Sequence, residues 1–188
     1  MSPAIRPGAI LGMFILWFLP FFVFRSRSPA SAEPAKIDRR ARWGIALEMV
    51  AFFIVYTHGP VTWSTPLGLG RTMAGFVCGV VAVGLTWASV GPLGKQWRFD
   101  AGLNPDHELV QSGAYRLVRH PIYASMVWLL LMAICWVGTL PGWPIGLALM
   151  IAGVEIRVRI EDRLLHDRFG ARFTEWQQRV PAYLPFLR

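Results

Sequence analysis

The chain has 188 residues, 54% of them apolar and only 16% charged, with 9 Trp and 12 Phe. That composition is too greasy for a water-soluble domain, so an integral membrane protein is expected. A formal charge of +8 does not point to nucleic acid, because the basic residues lie in connectors between apolar runs, as orientation signals do. Cys78 and Cys135 both fall inside apolar runs and read as small buried hydrophobes rather than a disulfide framework. No CxxC or HxxxH spacing points to a metal.

In chain order, the first apolar run is Ala9 to Phe24, slightly short for a bilayer core of ~30 Å and carrying Pro20 as a possible kink. Arg6, this run and the small-residue string Ala30-Ser31-Ala32 imitate a signal peptide. Arg25, Arg27, Lys36, Arg39, Arg40 and Arg42 behind it read instead as a stop-transfer flank. A second span is expected over Trp43 to Tyr56, then a charge-free segment, His58 to Gly70, with Pro60 and Pro66. The third span, Thr72 to Val90, carries Gly75-x-x-x-Gly79, a spacing that permits close helix approach. The polar connector Gly91 to His120 is too long for a turn and is a candidate functional loop.

Spans four and five, Pro121 to Val137 and Trp143 to Arg157, are separated only by Gly138-Thr139-Leu140-Pro141-Gly142 and form a helical hairpin. Both open ends return to one membrane side, which makes the His120 region and the Arg157–Asp162 region neighbours. From Val158 to Arg188, charge alternates with Leu164, Leu165, Phe169, Phe173 and Trp176 at helical spacing, the pattern of an interfacial amphipathic helix closed by Pro181 and Pro185. The expected fold is therefore all-α: about five transmembrane helices, with residues 1–90 carrying spans one to three and residues 91–188 carrying the polar loop, the hairpin and the carboxyl-terminal segment. Lys and Arg concentrate in connectors 25–42, 91–122 and 157–188, which places the amino terminus outside and the carboxyl terminus and site in the cytoplasm.

Chemistry is expected in His107 to Tyr123, HELVQSGAYRLVRHPIY, the polar passage between apolar runs. Arg116, Arg119 and His120 precede Pro121, which can open a helix without losing a needed N–H donor. A helix starting there aims amides and a partial positive charge at an anionic ligand. Alone, Arg119 and His120 would read as snorkelling residues, but Tyr115 and Tyr123 make the cluster suited to a ligand combining a carboxylate, a heteroaromatic base and hydroxyls. Arg157 and Glu161, spaced i, i+4, form at least an ordinary intrahelical ion pair. At the membrane boundary beside His120 they become functional candidates. Asp162 reads equally as a third member or as a residue pointing to water. For Glu48 a snorkelling or helix-pairing role outweighs catalysis, and His58 and His107, taken singly, read as structural. Gly68-x-Gly70 follows no strand, so a Rossmann reading fails.

Gly113-Ala114-Tyr115-Arg116-Leu117-Val118-Arg119-His120-Pro121-Ile122-Tyr123 resembles the signature of the isoprenylcysteine carboxyl methyltransferase family, related to membrane phospholipid methyltransferases. His107-Glu108-Leu109-Val110 resembles the start of that family's loop, Arg157 to Asp162 its second signature, and Arg168-Phe169-Gly170 through Pro181 its ending. The similarity covers about residues 91 to 185. It departs from the phospholipid enzymes at Ser125, where glycine is usual, and at Glu161-Asp162, where two glutamates are usual.

The resemblance implies S-adenosylmethionine in a cytosol-facing pocket and a lipophilic acceptor arriving from the bilayer, with no metal. It assigns the cofactor to His107, Leu109, Gly113, Tyr115, Arg119, His120, Pro121, Tyr123 and Glu161, and catalysis to Arg157 and Glu161. A carboxylate acceptor, already ionised and needing only Arg157 to position it, is slightly favoured over an amine, for which Glu161 or His120 would be the base. Two other classes stay open: an NADPH-dependent membrane reductase of the steroid-reductase type, which would want further basic residues for a 2′-phosphate, and a non-enzymatic interaction or transport subunit, which would place polar groups at mid-membrane.

Overall fold

The computed structural model describes residues 1–25, 36–57, 66–97, 101–103, 107–138 and 142–183. Helix α1 runs over Arg6–Arg25, α2 over Ala41–Thr57, α3 over Leu69–Leu93, α4 over Pro121–Trp136, α5 over Gly142–Phe169 and α6 over Ala171–Arg179. Short 3-10 turns lie at Gly94–Gln96 and Gly113–Arg116. The all-α expectation holds for these residues apart from one small pairing: Lys36–Ile37 (β1) runs antiparallel to Gly102–Leu103 (β2), tying the connector after α3 to the segment before α2.

The first five helices alternate in direction. Met1, leading into α1, donates its terminal amine to Leu67 O and Thr72 Oγ1 at the start of α3 (3.0 and 2.9 Å). Arg71, in the first turn of α3, reaches the carbonyls of Ile134, Cys135 and Gly138 at the end of α4. Small residues set the spacing between neighbours, as expected where van der Waals packing rather than water exclusion holds helices together. On α2 and α5, Gly44 faces Gly153 so closely that a methyl group on Gly44 would come within 2.7 Å of the Gly153 carbonyl, and Gly146 seats Val55. On α3, Gly75 lies under Trp136 of α4 and Gly79 under Met132, so the GxxxG spacing is a helix-packing face.

Ser125 joins three helices. Its hydroxyl accepts from Trp17 Nε1 of α1 (3.0 Å) and Thr86 Oγ1 of α3 (2.9 Å) and donates to Ile122 O (2.6 Å). The residue that departs from the phospholipid enzymes thus pins α1 and α3 to α4.

Helices α1 and α3 are long and apolar enough to cross a membrane, whereas α4 is shorter. Only 17% of the apolar stretch of α1 and 33% of that of α3 is buried. Leu11, Ile15, Phe22, Phe53, Phe76 and Val77 are all at least half exposed. Apolar surface on this scale needs a non-aqueous neighbour, which a bilayer provides.

The carboxyl-terminal region departs from expectation. No single amphipathic helix starts at Val158: α5 continues unbroken to Phe169, Gly170 takes φ +50 in the left-handed region, and α6 starts a new direction. Glycine reaches that conformation without a Cβ penalty, which is why the helix breaks there. Pro181 follows α6 as expected. Pro185, the string Ala30-Ser31-Ala32, Arg27, His58 and Pro60 lie outside the described residues.

Candidate active site

The hairpin of α4 and α5 places its two open ends side by side, as the spacing requires. His120, the residue before α4, is buried between two carboxylates of α5, with Nδ1 3.0 Å from Glu161 Oε2 and Nε2 2.7 Å from Asp162 Oδ1. Burial alone would favour the neutral ring, but the bonds to Asp162 and Glu161 prevail and hold the imidazole pKa at about 9. At neutral pH His120 is therefore an imidazolium that donates from both nitrogens. Asp162, raised by burial but lowered more by His120 and Arg119, titrates at about 2. Burial likewise opposes ionisation of Glu161, yet its bond to His120 holds it below the usual carboxylate range.

Asp162, left undecided by the sequence, is the hub of this network. It accepts from Arg119 Nη2 (2.9 Å) and Gln177 Nε2 (3.2 Å) as well as from His120. Arg119 also donates through Nη1 to the carbonyls of Gln177 and Val180, so its guanidinium clamps the end of α6 to α5. The backbone amides of Arg119 and His120 donate to Pro181 O and Ala182 O (2.8 and 2.7 Å). The chain after α6 thus satisfies the two backbone amides that immediately precede α4.

Glu161 differs from its neighbours. Its side chain is 28% exposed, against 3% for His120 and 8% for Asp162, so it forms the surface that a ligand meets while the other two stand behind it. Tyr123 donates to its Oε1 (3.0 Å), fixing the carboxylate from both sides.

Arg157 is bound by a partner the i, i+4 pattern does not show. Its Nη1 donates to Glu48 Oε2 of α2 at 2.9 Å, and its guanidinium carbon sits 4.5 Å from the Tyr123 ring centroid, a cation–π distance. The Gly44–Gly153 approach makes this pair possible by letting α2 and α5 come close one turn away. Glu48 therefore has the helix-pairing role expected of it.

These groups line one end of a cavity of about 610 Å³. The charged end is walled by His107, Leu109, Tyr115, Arg119, His120, Pro121, Tyr123, Arg157, Glu161 and Trp176, and the cavity continues between α1 and α2 past Phe14, Phe18, Met49, Phe52 and Tyr56. Of the expected site residues, Gly113 stands off the wall. It adopts φ +61 against the end of α3, where a Cβ would meet the Ala88 carbonyl at 2.8 Å, so its role is to seat the loop. Arg116 is exposed and takes no part in the cluster.

Sequence reasoning missed Gln177 and Trp176, both carried by α6, and the apolar wall from α1. The helical spacing of Phe173 and Trp176 was a signal for the first two, since an amphipathic face close to a charged loop has to cover something. No spacing within α1 announced its wall.

A charged, largely partnered end and an apolar limb between poorly covered helices thus share one amphipathic cavity. The chain belongs to the isoprenylcysteine carboxyl methyltransferase (ICMT) family, whose profile matches residues 74–167. It is 29% identical over 154 residues to the cobalt-zinc-cadmium resistance protein CzcN of Cupriavidus metallidurans, covering 77% of this chain and 62% of that one. It is 27% identical over 136 residues to a protein-S-isoprenylcysteine O-methyltransferase of Xenopus laevis, covering 68% and 43%. Over 96 residues it is 32% identical to the Saccharomyces cerevisiae protein-S-isoprenylcysteine O-methyltransferase, covering 44% and 34%. The chain thus spans between about one third and three fifths of the length of these relatives.

Proposed function

We propose that this protein is an integral membrane, S-adenosylmethionine-dependent methyltransferase acting on a lipophilic acceptor. The observation that carries the reading is that one cavity joins the family's signature residues to an apolar limb lined by α1 and α2. The charged end suits the cofactor: Tyr115, Tyr123 and Trp176 offer aromatic faces, and Glu161 presents a fixed carboxylate to hydroxyl or ammonium donors. S-adenosylmethionine supplies an electrophilic methyl group when bound.

The residues contribute orientation and exclusion of water rather than covalent chemistry. Tyr123 and His120 fix Glu161 from two sides. His120, protonated and bonded through both nitrogens, is a positioning residue rather than a base. Asp162 and Arg119 anchor α6 and the segment that follows it. Arg157, between the Tyr123 ring and Glu48, stands at the junction of the charged end and the apolar limb, where the acceptor's head would lie. An unpaired arginine there would favour a carboxylate acceptor; its pairing with Glu48 makes the acceptor class a separate question.

The topology belongs to the same proposal: five spans, with α2, α4 and the first part of α5 crossing beside α1 and α3, the amino terminus outside, and the site and carboxyl terminus in the cytoplasm. The opposite end of the bundle carries little beyond Arg6 and Arg71, and the basic connectors gather at the end that holds the charged part of the cavity. The catalytic region then comprises residues 91–188, packed against spans one to three.

Transfer of labelled methyl from S-adenosylmethionine into lipid-extractable material tests the assignment. Arg157→Lys keeps a cation for Glu48 but loses the planar fork, and it is expected to lower turnover about tenfold or more with cofactor affinity nearly unchanged. Tyr123→Phe, which frees Glu161 Oε1, is expected to weaken cofactor binding. The reverse pattern would overturn this division of roles.

A further inference from the structure

Glu48 is completely buried, yet its carboxylate has a partner for only one oxygen. Oε2 accepts from Arg157, whereas Oε1 has no donor among the described residues. A buried carboxylate oxygen without a donor is costly, and native interiors rarely leave one so. The side chain lines the cavity, flanked on its own helix by Ile45, Met49 and Phe52. The open acceptor site therefore lies where the apolar limb meets Arg157.

Charge sharpens the point. Arg157 already interacts with two carboxylates, Glu48 directly and Glu161 electrostatically. An acceptor bringing a third carboxylate would compete with Glu48 for the guanidinium and face its unsatisfied oxygen, a like-charge contact in a site shielded from water. A head bearing an O–H or N–H would instead supply the missing donor. Glu48 also lies outside residues 74–167, the part matched by the family profile.

We propose that Glu48 is the specificity-determining residue of the acceptor limb, admitting a lipophilic ligand whose head donates a hydrogen bond and carries no negative charge, such as an alcohol, and rejecting a carboxylate. The inference names the ligand class of the pocket already described and rests on that reading for the ligand's role as methyl acceptor.

The test is binding of lauryl alcohol, lauryl methyl ether and laurate to the full chain in nanodiscs, each measured by its displacement of a radiolabelled lauryl alcohol and by equilibrium binding of its own labelled form, corrected for partition into empty nanodiscs. The alcohol is expected to bind about tenfold or more tightly than either the ether, which lacks the donor, or laurate. Glu48→Gln keeps the side-chain volume and an oxygen for Arg157 while presenting an amide donor to the cavity, so laurate is expected to overtake the alcohol. A merely structural role for Glu48 would weaken all three probes together. Laurate binding tightest to the unaltered protein, or one ranking shared by both proteins, would overturn the proposal. S-adenosylmethionine binding measured in parallel separates the two readings: its absence with the alcohol preference intact counts against the methyltransferase alone, and its presence with laurate preferred counts against Glu48 alone.

Discussion

The two ends of α4 are both finished by an arginine from outside the helix, with opposite consequences. At the carboxyl end, the exposed Arg71 lies against the carbonyls of Ile134, Cys135 and Gly138, a cation where the helix dipole welcomes one. At the amino end, Arg119 and protonated His120 stand where the dipole opposes them, and they persist because Asp162 and Glu161 meet them there. The exposed end is a cap. The buried end is an assembly of groups that would be unstable singly, and it forms the floor of the cavity.

The contrast is broken most forcefully at Asp162. Asp162→Ala leaves His120 without one partner and Arg119 without its carboxylate in a buried site, and it is expected to cost about 3–5 kcal/mol of stability by denaturant or thermal unfolding in detergent. An effect no larger than that of a surface substitution would mean the cluster is solvated and the account of the buried end is wrong.

Titration gives the next effect. His120 is raised to about 9 from an ordinary 6.5, so its contribution to stability is fully present below pH 6.5 and is lost as pH rises through 9. Asp162, lowered to about 2 from 3.8, contributes above pH 3.8 and loses that contribution as pH falls toward 2. The melting temperature is expected to be highest from about pH 4 to 6.5. The free energy of unfolding should then fall toward pH 9 by an amount on the order of 3 kcal/mol for a group so placed, lowering the melting temperature, and His120→Gln should flatten that alkaline slope.

The smallest effect lies at the other end. Arg71→Ala removes exposed bonds to three carbonyls and is expected to cost about 1 kcal/mol, with cofactor binding unchanged. A loss of binding in this variant would show that the two ends of α4 are not independent.

The sequence made much of the buried end legible because one short loop holds most of it. A five-residue linker forces α4 and α5 into a hairpin, and that alone brings His120 to Glu161. The polarity of His107 to Tyr123, set among apolar runs, marked the rest. What stayed hidden depends on contacts between distant segments. Arg157 was seen beside Glu161, four residues on, but pairs with Glu48, 109 residues away, through a glycine contact that no local periodicity reports. Asp162 could not be told from a solvent-facing acid because its partner Gln177 sits beyond the break at Gly170, which a continuous amphipathic pattern conceals. The β1–β2 pairing is too short to leave an alternating pattern at all.

The most direct test of the account is calorimetric titration of the purified, detergent-solubilised protein with S-adenosylmethionine and, separately, NADPH, with a His120→Ala, Glu161→Ala double variant as control. Saturable S-adenosylmethionine binding that the double variant loses is the predicted result. NADPH binding without it, or no binding of either, would contradict the assignment of the charged end to a methyl donor.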